Sequence, residues 1–351
     1  MKKVAIVGTV GIPACYGGFE SLVENLTLNS GDRLEYTVYC SSKSYSEKLA
    51  SHNNAKLAYI PLKANGIQSI PYDVLSLMQC LIQRSDVVLI LGVSGCIFLP
   101  IFRFLSKSHV VTNIDGLEWK REKWGKWTRR FLKWSESLAV KYSDVVVTDN
   151  QAITDYVKDE YAINSNTIAY GGDHAIRDID VPSKQDEYAL GLCRIEPENN
   201  VAMILEAFSR TKENLKFVGN WQASEFGRNL KNQYNSFNNI ELLDPIYDLD
   251  ELYKLRSGCS LYIHGHSAGG TNPSLVEMMH FGIPIMAFDC NFNRYSTDNK
   301  ACYFESSRDL VKLLNTNQVE DLEANGAAMI KIANQRYTWH QIAKAYEHIY
   351  S

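Results

Sequence analysis

The chain has 351 residues, 45% of them hydrophobic and 22% charged, with a formal net charge of −4. That length exceeds one ordinary domain and suits two, each with a core of its own. The mild negative charge gives no reason to expect a nucleic-acid partner. It is also uneven: residues 1–172 carry 19 basic against 16 acidic side chains (+3), and the remainder 17 against 24 (−7). The eight cysteines are scattered, with no Cys-x-x-Cys pair and no metal-like spacing. This fits reduced thiols packed as small hydrophobes and a cytoplasmic setting.

The opening "MKKVAIVGTVG" has an apolar run of only four residues before glycine, which predicts a first strand rather than a signal peptide. A glycine-rich loop follows, "GTVGIPACYGGFESLVENL", in which Gly17 and Gly18 lead into a helix with Glu20 in its first turn. The spacing is not the G-x-G-x-x-G dinucleotide fingerprint. The length of the loop points to ligand contact; the plain alternative is a turn with an acid favoured by the helix dipole. Next come the strands "LEYTVYC" and "KLAYIPL", the helix "PYDVLSLMQCLIQR" and the strand "DVVLILG". Residues 87–102 form an uncharged run shorter than the ~20 residues needed to span a bilayer. Gly92, Gly95 and Pro100 interrupt it, so a buried strand, a turn and a short apolar helix are expected.

The strand "HVVTNID" ends at Asp115, where a ligand contact is expected, with Glu118 close behind. Residues 119–134 then carry seven Lys or Arg and one Glu. Within them Trp124, Trp127, Phe131 and Trp134 recur at helical spacing, continued by Leu138. A basic helix with an aromatic stripe suits a membrane interface, with Lys126, Arg129, Arg130 and Lys133 as its cations. The alternative is that the aromatics pack on a sheet and the charges form a solvated rim. The strand "DVVVTDN" closes the first alternating series.

Residues 172–186 are polar and read as a linker, after which strands and helices alternate again through "YALGLCR", "LKFVGN", "NIELLD", "CSLYIHGH" and "PIMAFDC". Two doubly wound parallel-sheet α/β domains are therefore expected, spanning 1–172 and 187–330, with 331–351 as a terminal helix. Ligands in such sheets bind beyond the carboxyl ends of the strands. The glycine-rich turns should then meet in a cleft between the domains. The pairs Asp178/Asp180 and Asp248/Asp250 read as linker and capping acids, and no metal site is expected.

Arg194 emerges from the end of a strand, where a guanidinium suits a diphosphate; a salt bridge with Glu196 or Glu198 is the plain reading. Residues 264–289 place Gly269, Gly270, Thr271 and Asn272 directly before a helix that starts at Pro273. Glycines admit close approach, and a helix start offers N–H groups to phosphate. Glu277, inside that helix, can accept hydrogen bonds from the sugar hydroxyls of a nucleotide. His264 and His266 alternate along a strand end, so one at most, His266, is expected at the ligand.

At these residues the chain resembles a retaining GT-B glycosyltransferase of family four. Arg194 matches that family's arginine and Glu277 the second glutamate of its E-G-F-G-x-x-x-x-E pattern. Asn199 stands where the family often has lysine, and Gly269 where it has its first glutamate. The stretches "GIPACYGGFESLVENL", "DGLEWKREKW", "GLCRIEPENN" and "GHSAGGTNPSLVEMM" are similar to a branch of bacterial rhamnosyltransferases that build capsule and cell-wall polysaccharides.

The resemblance implies a GT-B fold: two Rossmann-like domains facing a cleft, the first for the acceptor and the second for the nucleotide sugar, with the last helix packing back on the first. It implies transfer of L-rhamnose from dTDP-L-rhamnose to glucose or N-acetylglucosamine on a polyprenyl diphosphate lipid, commonly as a β-1,4 linkage. No metal and no cofactor beyond the nucleotide-sugar substrate are implied. Asp115 and Arg194 would be catalytic. Gly17, Gly18, Arg194, His266, Gly269, Gly270, Thr271, Asn272 and Glu277 would face the donor, and Glu20, Asp115 and Glu118 the acceptor. The enzyme would sit on the anionic inner face of the cell membrane. A nucleotide-sugar 2-epimerase, a transferase for another nucleotide sugar and a non-catalytic sensor are the alternatives.

Overall fold

Runs of Val, Ile and Leu that are buried on both faces form parallel strands, and here they build two separate sheets. The computed structural model describes residues 1–14, 17–120, 124–180, 187–316 and 319–351. The remaining positions of the glycine loop (15–16), the basic segment (121–123) and the linker (181–186) lie outside the described residues. The chain divides into two units: Met1–Tyr170 with Trp339–Ser351, and Gly171–Thr338.

The strands of the first unit are β1 (Lys2–Val7), β2 (Leu34–Ser41), β3 (Ser51–His52), β4 (Ala55–Ile60), β5 (Val87–Leu91), β6 (His109–Asn113), β7 (Val145–Thr148) and β8 (Asn166–Thr167). Its helices are α1 (Gly18–Leu28), α2 (Ser69–Gln83), α3 (Leu99–Leu105), α4 (Lys126–Tyr142) and α5 (Gln151–Tyr161). The sheet order is β3-β4-β2-β1-β5-β6-β7-β8, parallel except for the short β3–β4 pair. The two-residue strands β3 and β8 are too short to register as periodic runs in the sequence.

The second unit contains β9 (Ala189–Leu192), β10 (Leu215–Val218), β11 (Ile240–Leu243), β12 (Leu261–His264), β13 (Ile285–Phe288) and β14 (Cys302–Phe304). Between and after them lie α6 (Val201–Phe208), α7 (Glu225–Tyr234), α8 (Leu249–Gly258), α9 (Pro273–Met279), α10 (Asn291–Ser296), α11 (Ser307–Thr316) and α12 (Val319–Arg336). Its order, β11-β10-β9-β12-β13-β14, is fully parallel and reverses direction between β9 and β12. Side chains such as Phe217, Trp221 and Phe208 fill the core on one side.

Residues 331–351 are not one helix. The first part belongs to α12, Tyr337 and Thr338 break the chain, and α13 (Trp339–Ile349) joins the first unit. There the Lys2 ammonium donates to the Tyr350 carbonyl at 2.6 Å, and His109 Nε2 lies 3.0 Å from the Ile349 carbonyl. Tyr346 adds the hydroxyl that accepts from Asn113 Nδ2 at 2.9 Å, which ties α13 to the carboxyl end of β6.

The turn after β1 needs glycine. Gly8 has φ +92°, and a Cβ there would sit 2.1 Å from the Leu91 carbonyl oxygen. The turn after β5 has a different lock. Asp73 of α2 is buried, its Oδ2 accepts from the Ser94 hydroxyl, and Gly95 packs against its Cβ. Burial pushes the Asp73 carboxyl up to about 7, against the opposing hydrogen bonds from Ser94 and Gly95.

The folded state therefore holds a proton at Asp73 that the unfolded chain releases near pH 4. The stability tied to that proton is full below the unfolded pKa and is lost as pH rises toward 7. Asp73→Asn should remove this loss. In urea titrations the variant should gain on the wild type between pH 5 and pH 8, by up to about 4 kcal/mol. A pH-independent difference would place the proton elsewhere.

Candidate active site

In the second unit the direction of the sheet switches between β9 and β12, the position where doubly wound sheets bind ligands. The loops leaving those two strands carry Arg194 and residues 265–272. Arg194 is exposed and lies 3.9 Å from the Glu196 carboxylate. A pair this long and this wet is weak, so the guanidinium can be exchanged onto a diphosphate.

Asn199, at the position where the resembling family often has lysine, is buried and acts as a strut. Its amide donates to the Arg194 carbonyl at 2.7 Å, and its Oδ1 lies 2.6 Å from His266 Nδ1. The two histidines do not face opposite sides, because β12 ends at His264 and the backbone turns at Gly265. Their rings lie side by side, with centroids 6.0 Å apart. Burial, and then the neighbouring His266, hold the His264 pKa well below the usual histidine range, so it is uncharged at neutral pH.

Helix α9 has only seven residues. Pro273 lacks an N–H, and the Ser274 N–H already donates to Asn272 Oδ1 at 3.0 Å. The helix start therefore offers less to an anion than the sequence implies. The preceding turn offers more. Among the described residues, the N–H groups of Gly269, Gly270 and Asn272 make no hydrogen bond within the chain. Gly269, at φ +112°, adopts the left-handed geometry that lets successive amides converge on an anion.

Glu277 is engaged at both oxygens. Oε2 pairs with the buried Arg256 of α8, and Oε1 lies 3.3 Å from His174 Nε2. Burial raises its pKa, but Arg256 and His174 outweigh that and leave it below the usual carboxylate range. Each oxygen keeps a lone pair for a hydroxyl. Sequence reasoning missed both partners. His174 sat in the expected linker. Arg256 continues the inward stripe of Leu252 and Tyr253, and a cation on such a stripe calls for a buried acid.

The first-unit candidates divide by surroundings. Glu20, expected at the acceptor, is turned into the fold. It is buried, and its Oε1 accepts from the Val10 N–H at 2.8 Å and the Thr9 hydroxyl at 3.0 Å. Its other oxygen lies directly under Gly17, so it braces the glycine loop from within. A Cβ at Gly18 would lie 3.5 Å from the Tyr170 ring, in ordinary contact. Asp115 is half-buried at φ +61°, two residues before Leu117 at φ +53°. Left-handed backbone at two non-glycine residues is strained, and such strain concentrates at functional sites. Glu118 accepts from the Trp124 indole at 3.0 Å, which folds Trp124 into the loop ahead of α4.

Helix α4 turns Leu132, Ser135, Glu136, Ala139 and Val140 inward. Trp127 and Trp134 point outward, 81% and 54% exposed, and Phe131 packs edge-on against Trp134. The aromatic stripe is therefore not core. Lys126 and Arg130 are exposed, and Arg129 is half-buried. Lys133 differs from them. Its ammonium lies between the Trp119, Tyr156 and Tyr161 rings, 4.7–4.8 Å from each centroid, and pairs with Glu136 and Glu160. It is half-buried and held by the fold's own acids and rings.

Asp248 caps α8, and Asp250 pairs with Arg177. Among the described residues, no three His, Cys, Asp or Glu side chains gather as a metal cluster. No helix among them is long and apolar enough to cross a membrane.

Residues 173–326 match the family described as glycosyl transferases group 1, and residues 1–173 match a domain of unknown function, DUF1972. The second unit carries a glycosyl transferases group 1 domain. Glycosyl transfer is the activity that goes with this domain.

Solved structures give the fold as GT-B. A sucrose-phosphate synthase from Thermosynechococcus elongatus superposes with a TM-score of 0.82 at 12% identity, covering 100% of this chain and 98% of that one. HepE from Anabaena, in complex with UDP-glucose, gives 0.73 at 14% identity, covering 99% and 98%. An α,α-trehalose 6-phosphate synthase from Burkholderia multivorans gives 0.71 at 10%, covering 99% and 96%. No curated protein sequence matches the chain.

Within the glycosyltransferase domain, Arg256 and Glu277 form a buried pair whose separation should be costly. Arg256→Leu should destabilise by about 3–5 kcal/mol, since it strands a buried carboxylate. The double substitution Arg256→Leu/Glu277→Leu should recover most of that stability while losing nucleotide affinity. Equal destabilisation by the single and double variants would show that the pair is not coupled.

Proposed function

We propose that the chain transfers L-rhamnose from dTDP-L-rhamnose to glucose or N-acetylglucosamine on a polyprenyl diphosphate lipid, with retention and through a β-1,4 linkage, in bacterial capsule or cell-wall polysaccharide assembly. The observation that carries glycosyl transfer is the cluster at the β9/β12 switch point. Arg194 and the amides of Gly269, Gly270 and Asn272 suit a diphosphate, and Glu277 suits the pentose. Deoxyribose lacks the 2′-hydroxyl, so its 3′-hydroxyl is the one Glu277 would hold. Gly269, in the place of the family's first glutamate, supports a donor sugar whose hydroxyls differ from those of glucose.

The sugar–phosphate bond would break as the acceptor oxygen attacks the same face, and the departing diphosphate would take the acceptor proton. Rate would come from stabilising the leaving group and positioning the acceptor. No protein base is then obligatory, and Asp115 orients. The enzyme would work as a peripheral protein on the inner face of the cell membrane without a metal cofactor. The outward Trp127/Trp134 face of α4 supports the membrane setting, and a soluble 2-epimerase has no use for it. A UDP-sugar donor is the second reading, favoured by the likeness to HepE, which was solved with UDP-glucose.

Incubation with a panel of nucleotide sugars should give stabilisation and slow hydrolysis with dTDP-L-rhamnose above UDP-glucose; the reverse order would select the second reading. Arg194→Ala should lower turnover at least roughly a hundredfold with the fold intact, as expected for removal of one transition-state donor. Near-normal activity would remove Arg194 from the site. Transfer should survive EDTA; loss of transfer that magnesium or manganese restores would make this account of the leaving group incomplete.

A further inference from the structure

In the first unit the crossovers β4 to β5, β5 to β6 and β6 to β7 all step in the same direction along the sheet. Right-handed connection puts their helices α2, α3 and α4 on one face of it. They pack side by side, with α3 touching both of its neighbours. Their outer surfaces therefore form one layer turned away from the sheet.

That layer is apolar where a soluble helix would be polar. Helix α2 buries Tyr72, Ser76, Leu77 and Cys80, yet its opposite stripe is Leu75, Met78 and Ile82, all exposed, with Ile82 at 80%. Helix α3 buries Leu99 and Phe102 and exposes Ile101, Phe104 and Leu105, with Phe104 at 89%. Helix α4 adds Trp127 and Trp134. Single exposed apolar residues are ordinary, but a run across three packed helices marks an interaction surface.

The exposed charge on the three helices themselves has one sign. The only carboxylates on the three helices are Asp73 and Glu136, and both are buried. The exposed charges on the helices are the cations Lys126, Arg130 and Lys141; just beyond their ends Arg84 and Lys107 are joined by Asp86 and by Asp144, which pairs with Arg103. Between α4 and α5 a recess of about 640 Å³ is bordered by Lys120, Arg129, Arg130, Trp134 and Glu160; Lys133 answers the Glu160 charge at 2.9 Å, and the remaining cations suit an anionic headgroup. A second copy of the chain docked here, helix layer to helix layer, would set the exposed cations of the helices against one another. An anionic bilayer answers them and accepts the apolar side chains as well.

We infer that α2, α3 and α4 together form a bilayer-docking platform that inserts Ile82, Ile101 and Phe104 into an anionic lipid surface, with the tryptophans of α4 at its rim. This deepens the membrane setting proposed above and rests on it. The contact moves from one basic helix to a three-helix face centred on α3.

Flotation with vesicles of phosphatidylcholine, with and without phosphatidylglycerol, tests it. The full chain should float only with phosphatidylglycerol, and less so as salt is raised. I101D/F104D on α3 and I82D on α2 should each lower the floated fraction at least tenfold while keeping the wild-type melting transition, since the altered side chains point outward. Should the aspartates impair folding, I101S/F104S serves in their place. Wild-type binding that both the α2 and α3 variants retain, but that W127A/W134A loses, would overturn the platform and leave the α4 contact standing. A wild-type chain that ignores anionic vesicles would overturn both. If its mass in solution then rises with concentration, the face is a self-contact instead. Nucleotide binding, read separately by thermal shift, reports on the donor site and is independent of all these outcomes.

Discussion

A carboxylate taken out of water must find charge or donors, and this protein repeatedly organises a loop by burying one. Glu136 is nearly inaccessible and accepts from the Trp119 indole at 3.0 Å and from Tyr156 and Tyr161 at 2.6 and 2.7 Å. Lys133 lies 3.3 Å away. Those bonds fasten the turn after β6 to α4 and α5. Glu20 does the same for the glycine loop, and Asp73 for the turn after β5. In the second unit Glu277 draws Arg256 and His174 to α9. The scaffold and the candidate site thus share one chemistry: an acid fixed by neighbours arriving from distant parts of the chain.

The consequences differ with the compensation each acid receives. Asp73 has hydrogen bonds but no cation, and burial wins, so it keeps its proton near neutrality. Glu277 is also buried, yet a guanidinium and an imidazole outweigh the desolvation, so it stays ionised. An ionised carboxylate can accept from sugar hydroxyls; a protonated one is a worse acceptor. The Arg256 contact is therefore what would make Glu277 useful to a nucleotide.

Much of the fold was legible because parallel strands buried on both faces have a plain signature. The runs "KVAIVG", "DVVLILG" and "LKFVGN" became β1, β5 and β10, and the length of the chain with its twice-repeated alternation of strands and helices pointed to two α/β units. The glycines at 8, 17 and 269 were legible as special turns because only a residue without a Cβ accepts those φ values or approaches. Arg194 and residues 269–272 were visible from their place after apolar strands, where a doubly wound sheet puts its ligand loops.

Side-chain direction was decided elsewhere. The pattern of residues 119–134 could not say whether Trp127 and Trp134 face the sheet or solvent, because two opposite stripes of α4 are both compatible with helical spacing. The choice was made by Glu136, which needed donors from Trp119, Tyr156 and Tyr161, and that turned the tryptophans outward and Lys133 in. Glu20 read as an acceptor contact or a first-turn acid favoured by the helix dipole and became a buried brace, because the loop before it presents N–H and O–H donors to it. By itself the sequence determined the elements, the two units and the glycine-rich turns that follow the strands, since periodicity and glycine are local properties. Tertiary structure alone decided which charges are internal, because a buried charge is settled by partners tens to hundreds of residues away in the chain.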